Sequence, residues 1–152
     1  MKKILFLVLV LPLLVVSCND DENDLPNIDF EVSITGGINI DGVLYVIKGD
    51  TLSIDSVDVI SLDNKGAAIG AVTYFWDYYP IATNPFVPYG LKIATDRMHI
   101  GNHLLQMECP VYVVDYPILT AYFTYPIKLV ESVDSIPSLP SLPITSNYKI
   151  SR

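Results

Sequence analysis

The chain has 152 residues, of which 51% are hydrophobic and 17% are charged, and its formal net charge is -8. This length suits one ordinary domain. The acidic balance argues against nucleic acid as a partner, because phosphate binding needs clustered Lys and Arg. The apolar content argues against a fully disordered chain. Two cysteines are too few for a disulfide-dense scaffold or a Cys-rich zinc module.

Residues 1–17 have the pattern of a secretory signal peptide. Lys2 and Lys3 form a basic start, and residues 4–16 form an apolar stretch that is too short to span a bilayer comfortably as a helix. The segment Val15-Val16-Ser17-Cys18 resembles a bacterial lipobox. The resemblance implies that Cys18 is lipidated and becomes the first residue of the mature chain. An ordinary signal peptide with an incidental cysteine is the alternative.

An acidic tether is expected over residues 18–26. No apolar residue occurs from Asn19 to Asp24, so this run is expected to be solvated. It resembles the acidic export signal that follows the lipidated cysteine in surface lipoproteins of Bacteroidetes-type bacteria. The resemblance implies an outer-membrane lipoprotein that is held by its acyl chains and faces the cell exterior. A lipoprotein that faces the periplasm is the alternative.

Residues 27–131 are expected to form the folded domain, as strands. Apolar and polar residues alternate from Ile28 to Ile34, and no helical period is evident. Asp41-Gly42 predicts a type I′ hairpin turn, and a change of parity near Asp55-Ser56 predicts a bulge. Seven or eight short strands favour an all-β fold, an immunoglobulin-like antiparallel sandwich, with a small barrel as the competing architecture.

Prolines predict where the strands are interrupted. Three of them predict an irregular loop over Tyr79–Pro88. Pro110 and Pro126 fall within long apolar runs, and neither can donate to a β-ladder. We therefore expect both to mark strand edges or bulges.

Two segments resemble the PKD-type immunoglobulin-like domains. Tyr74-Phe75-Trp76-Asp77 is similar to their Tyr-x-Trp-Asp strand, and residues 101–107 are similar to their Gly-x-Tyr-x-Val strand. His103 stands where that family has its corner tyrosine, so its ring is expected to bond a nearby backbone carbonyl. The resemblance implies a structural core that includes Tyr74, Trp76, His103, Leu105 and Met107.

No motif for catalysis, cofactor binding or metal binding is evident. The chain lacks a nucleophile elbow, a phosphate loop and zinc-ligand spacing. Cys109, the only thiol left after lipidation of Cys18, is expected to be a buried apolar residue. We expect a non-catalytic domain without cofactor or metal. A small hydrolase that uses paired carboxylates is a remote alternative.

The aromatic residues supply the candidate ligand-binding positions. Tyr79, Phe86 and Tyr89 surround the proline-rich loop, and exposed rings stack on sugars or anchor protein interfaces. The competing interpretation is that these rings cover the edge of a small core. The expected function is a lipid-anchored, surface-exposed binding or accessory module that docks to a protein partner. A glycan-binding lipoprotein of a carbohydrate-uptake system is the alternative.

Residues 132–152 form a Ser/Pro-rich tail. Proline recurs at every third position from Pro137 to Pro143, which favours polyproline II and disfavours helix. Three interpretations remain open: a tail that packs on the domain, a docking segment, or the remnant of a longer chain.

Overall fold

Alternating apolar residues build strands along most of the part of the protein that the structure describes. A computed structural model describes residues 25–137 and 148–151. In chain order the strands are β1 Ile28–Thr35, β2 Ile38–Ile40, β3 Val43–Ile47, β4 Thr51–Ser61, β5 Ala67–Ile69, β6 Val72–Trp76, β7 Tyr79–Asn84, β8 Leu91–Ala94, β9 Gly101–Val113, β10 Leu119–Val130 and β11 Tyr148–Ser151. One turn of 3-10 helix spans Val133–Ser135.

The strands form two sheets that pack face to face. The smaller sheet has the order β1-β4-β8, and the larger has the order β2-β3-β10-β9-β6-β7, with β5 beside β9 and β11 beside β10. Phe30 of β1 and Phe123 of β10 meet edge to face across the interior, with ring centroids 5.2 Å apart. No ladder joins the two sheets within the described residues. The fold is therefore the expected immunoglobulin-like sandwich and not a barrel.

The chain changes sheets between β1 and β2. Gly36 makes this crossing with a φ of +84°, which L side chains rarely adopt. The crossing brings β3 alongside β10 in a parallel pair, with Leu44 opposite Ile127. This pair departs from the otherwise antiparallel arrangement of the described strands.

The predicted hairpin turn and the predicted bulge are both confirmed. Asp41 and Gly42 have φ values of 50° and 82°, as a type I′ turn requires, and Asn39 Oδ1 accepts a hydrogen bond from the Gly42 N–H at 3.1 Å. In the β1–β4 pair, Ser33 lies opposite Ser56 but Ile34 lies opposite Ile54. The residue between the two partners, Asp55, is thus the extra residue of the predicted bulge.

The predicted loop over Tyr79–Pro88 is wrong in its first part. Tyr79–Asn84 forms β7, which pairs with β6 as the edge strand of the larger sheet. An edge strand tolerates Pro80 because only one side of its backbone needs partners. Irregular structure begins at Pro85.

Pro110 and Pro126 lie inside central strands, at points where those strands change partners. On one edge of β9, residues 105–108 pair with β6 and residues 111–113 pair with β5, and Pro110 falls between them. On one edge of β10, residues 120–123 pair with β11 and residues 127–130 pair with β3, and Pro126 falls between them. The prediction that the two prolines mark strand edges or bulges is therefore wrong: both lie in the continuous β9–β10 ladder, each facing a gap between two ladders on the other side of its strand.

Two parts of the tail beyond Val130 have a described structure. Residues 133–135, which precede the proline repeat, form a 3-10 turn, and Tyr148–Ser151 pairs with β10 as a further strand. Most of the Pro-repeat, together with the signal peptide, Cys18 and the acidic tether, lies outside the described residues. Of the three interpretations of the tail, the pairing of β11 with β10 favours a tail that packs on the domain.

Candidate functional site

The predicted core residues occupy the interior of the sandwich. Tyr74 and Trp76 on β6 and Leu105 and Met107 on β9 are buried, and they alternate with outward-facing neighbours as the resemblance implied. Tyr74 anchors the neighbouring loop, because its hydroxyl donates a hydrogen bond to the Tyr89 carbonyl oxygen.

His103 makes the bond expected of it. The ring is half-buried, and its Nε2 lies 2.7 Å from the carbonyl oxygen of His99. His103 therefore fixes the loop before β9, as the tyrosine it replaces is expected to do. The ring also packs against Trp76, with centroids 5.2 Å apart, so this histidine extends the core to one end of the larger sheet.

The three candidate ligand-binding rings do not form one site. Tyr79 and Phe86 are 75% and 74% exposed, but Tyr89 is only 9% exposed and its hydroxyl donates to the Ile69 carbonyl oxygen at 2.9 Å. The prediction for Tyr89 is therefore corrected: it is a core residue. The sequence did not show this because the burial depends on how the loop closes against residues distant in the chain.

Tyr79 and Phe86 also lie far apart. Tyr79 pairs with Trp76 at one end of β7, and Asn84 pairs with Val72 at the other. Five strand steps separate these ends by about 17 Å. Phe86 follows Asn84 and is held to it, since Asn84 Oδ1 accepts from the Phe86 N–H at 3.0 Å. A single sugar ring therefore cannot touch both aromatic residues.

The structure does show an unpaired strand edge with exposed apolar residues, here called the β7 edge surface. It takes in Tyr79 and Ile81 of β7 and Phe86 and Val87 of the loop that follows, all exposed. Within the described strands, β7 pairs with β6 alone, so its other edge has no strand partner. Residues 79–87 contain no charged side chain, although the whole chain carries a formal charge of -8.

A second surface feature was not predicted from the sequence. On the outward face of the larger sheet, a cleft of about 230 Å³ is lined by side chains of β6, β9, β10 and the β6–β7 turn. We call it the outer-sheet cleft. Its outward-facing residues are Phe75, Tyr78, Gln106, Glu108, Tyr122 and Thr124. Strand alternation marks the five strand residues among them as outward, but only the cross-strand register reveals that they meet.

The reactive groups of the described residues lie in separate places. Cys109 is buried, and desolvation together with the charge of Glu108 raises the pKa of its thiol to about 12, so it remains protonated at neutral pH. Among the described residues no three His, Cys, Asp or Glu side chains are grouped to hold a metal ion. The outer-sheet cleft contains one carboxylate, that of Glu108.

No protein-family model and no curated protein matches the chain. Among solved structures, it is similar to fibronectin(III)-like modules of CbhA from Clostridium thermocellum, at 14% identity and a TM-score of 0.34, over 66% of this chain and 93% of that one. No helix in residues 25–137 or 148–151 is long and apolar enough to cross a membrane.

Proposed function

We propose that the chain is a lipid-anchored, surface-exposed, non-catalytic binding module that docks to a protein partner through the β7 edge surface. One observation carries the proposal: Tyr79 and Ile81 of an edge strand and Phe86 and Val87 of the loop that follows it expose apolar area. Exposed apolar area of this kind, when it is contiguous, marks interaction sites in soluble domains. Aromatic anchors without nearby charge are typical of the centre of a protein–protein interface.

The edge favours docking by side chains over the addition of a strand. Pro80 lies within β7, and the register shifts between the partners of Tyr74 and Phe75, which leaves Ile81 as an extra residue. Proline and bulges are the features by which natural edge strands resist unselective pairing. A partner therefore gains affinity from pockets for Tyr79 and Phe86 more than from backbone hydrogen bonds.

The anchor completes the proposal. β1 begins at Ile28, so few residues separate Cys18 from the sandwich. Ten residues reach at most about 35 Å even when fully extended. A chain lipidated at Cys18 would hold the sandwich close to the bilayer, where partners in the same membrane are within reach. Orientation toward the cell exterior rests on the resemblance of the acidic tether to an export signal.

Site-specific photocrosslinking tests the docking surface. A photoreactive phenylalanine analogue replaces Phe86 or Tyr79 in the full chain, expressed in the cells that naturally carry it. Tyr112 is the matched control, because it is an exposed aromatic residue on β9, and β6 lies between β9 and β7. We expect one protein adduct of defined mass from the first two positions and none from the control. Adducts that are absent, or equal at all three positions, would refute the docking surface.

The anchor is tested separately. Cys18→Ala should abolish incorporation of labelled fatty acid and release the protein from the membrane fraction. In intact cells the unaltered protein should be digested by added protease if it faces the exterior. Retention of Cys18→Ala in the membrane fraction would contradict the lipobox interpretation, and protease resistance in intact cells would indicate the periplasmic face.

A further inference from the structure

We propose that the outer-sheet cleft is a second binding site, and that its ligand is a neutral pyranose sugar, free or as a unit of a glycan. The site differs from the β7 edge surface in residues and in face. Phe75 points outward from the larger sheet, whereas Tyr79 pairs with the inward-facing Trp76. The two proposals therefore stand independently.

Cross-strand register builds the cleft from two rows of residues. In the first row Gln106 lies between Phe75 and Thr124, and in the second Glu108 lies between Thr73 and Tyr122. Neighbouring strands are about 4.8 Å apart, so the β6 and β10 side chains are separated by about 10 Å across β9. The rows are about 7 Å apart along the strands. Phe75 and Tyr122 thus lie at diagonal corners of a cleft with a polar floor.

The floor offers hydrogen-bonding groups that the fold does not use. Gln106 and Glu108 are half-buried, and their side chains make no hydrogen bond or ion pair with another described residue. A carboxamide supplies both donors and an acceptor, and a carboxylate accepts two or more hydrogen bonds. Adjacent hydroxyl groups on a sugar ring match this combination, while the apolar C–H face of the ring suits aromatic rings such as Tyr122 and Phe75.

Tyr78 contributes a third ring from a position that is costly for tyrosine. Its φ is 71°, a left-handed conformation that glycine or asparagine adopts more readily. The side chain is exposed and lines the cleft, so burial in the core does not explain its presence. A ligand-binding role explains why a large aromatic residue occupies this turn.

Charge favours a neutral ligand. Glu108 is the one charged residue in the cleft, so an anionic sugar or phosphate would meet repulsion. Lys149 of β11 lies opposite Tyr122 and extends the Glu108 row, so a positive charge already stands beside the site. Aromatic rings and a carboxylate would attract an organic cation. Because Lys149 would repel it, an uncharged ring suits the site better.

Saturation-transfer NMR on the full chain, held in a detergent without a sugar headgroup, tests the proposal. The probes are the methyl pyranosides of glucose, galactose and mannose, with choline and galacturonate as cationic and anionic comparisons. We expect saturation transfer to at least one neutral pyranoside, weaker transfer to the charged probes, and at least tenfold weaker affinity in Tyr122→Ala. Glu108→Gln and Gln106→Ala should each weaken binding at least threefold.

Tyr112→Ala is the matched control, because Tyr112 is an exposed aromatic residue on the same outward face of β9 but outside the cleft. Its affinity for the pyranoside should equal that of the unaltered chain. The isosteric Glu108→Gln keeps the test interpretable if Tyr122→Ala fails to fold. The proposal is overturned if no neutral pyranoside shows transfer, if choline or galacturonate binds best, or if the cleft variants bind like Tyr112→Ala. Photocrosslinking at Phe86 is unaffected by any of these results.

Discussion

His103 Nδ1 lies 2.7 Å from Asp77 Oδ2, and this pair ties the β6–β7 turn to the start of β9. The other carboxylate oxygen of Asp77 accepts from the Leu104 N–H at 2.8 Å, so both oxygens are engaged. Trp76 Nε1 lies 3.2 Å from the same Nδ1, and an indole N–H can only donate. Nδ1 therefore donates to Asp77 when the ring is charged and accepts from Trp76 when it is neutral.

This pair predicts a pH-dependent stability. Burial alone would lower the pKa of the His103 ring. The hydrogen bonds to Asp77 and to the His99 carbonyl, together with the charge of Asp77, outweigh burial, so the pKa of His103 is raised above 6.5. The stabilisation is therefore fully present below about pH 6.5 and is lost as pH rises through the higher pKa of the folded state. The side chain of Asp77 is 42% exposed, so solvent screens its charge. We therefore expect the free energy of unfolding to fall by only about 1 kcal/mol across this rise in pH. Urea unfolding at several pH values measures this fall, and the His103→Gln variant, which lacks the titrating ring, should not show it.

Fluorescence offers a direct control for this prediction. Trp76 is the only tryptophan in the chain and contacts the titrating ring, so its emission should change with the protonation of His103. Asp77→Asn keeps an acceptor for the Leu104 N–H but removes the charge, and it should move the midpoint of the change to lower pH. An unchanged midpoint in that variant would show that Asp77 does not set the pKa of His103.

Two buried tyrosines should respond oppositely to loss of the hydroxyl group. Tyr74 donates to the Tyr89 carbonyl, whereas the Tyr125 hydroxyl is buried without a hydrogen-bond partner among the described residues. Tyr74→Phe should lower the free energy of unfolding by about 1–3 kcal/mol, because a buried acceptor is left unpaired. Tyr125→Phe should leave it unchanged or raise it by up to about 1 kcal/mol. Equal destabilisation in thermal or urea unfolding would contradict this contrast.

Local chemistry predicted those parts of the fold that depend on neighbouring residues. The turn at Asp41-Gly42 follows from the need for positive φ at both positions, and the bulge at Asp55 follows from a change of parity in one strand. The set of residues on β9 that face the core was also predictable, because the alternation of inward and outward side chains is a property of a single strand.

Features that depend on pairing between strands distant in the chain could not be predicted from the sequence. β7 was missed because proline predicts a loop unless the strand is known to lie at an edge. β11 was missed because its partner, Thr120–Phe123, is distant in sequence. The outer-sheet cleft needs the register of β6, β9 and β10 together, since a one-residue slip would move Glu108 to the other face.

Gly36 and Gly42 allow steric overlap to be separated from backbone strain. Both have φ near +83°, at +84° and +82°, but a Cβ on Gly36 would lie 2.0 Å from the Thr51 carbonyl oxygen and one on Gly42 would meet nothing within 4 Å. Gly42→Ala should cost about 1–2 kcal/mol from strain alone. Gly36→Ala should lower the free energy of unfolding by about 1–3 kcal/mol more, or prevent folding, because strand β4 must shift. Similar losses in urea unfolding of the two variants would show that the crossing between sheets adjusts freely.

The β6–β7 turn should become more stable when its second residue is glycine. Trp76 pairs with Tyr79, so Asp77 and Tyr78 form a two-residue turn with φ values of 50° and 71°. Tyr78→Gly converts this turn to Asp-Gly, the type I′ preference, and should raise the free energy of unfolding by about 1 kcal/mol. Because the Tyr78 ring is 74% exposed, its removal sacrifices little buried area.

Asn64→Gly is the matched control for Tyr78→Gly, since Asn64 has a φ of 61° in an exposed loop. Asparagine tolerates this conformation, so the gain there should be smaller, at most about 0.5 kcal/mol. If Tyr78 also binds the sugar ring, Tyr78→Gly should be more stable yet bind the pyranoside more weakly, whereas Asn64→Gly should bind unchanged. A destabilised Tyr78→Gly would show that contacts of the tyrosine ring outweigh its backbone strain, and that a ligand is not needed to explain its presence.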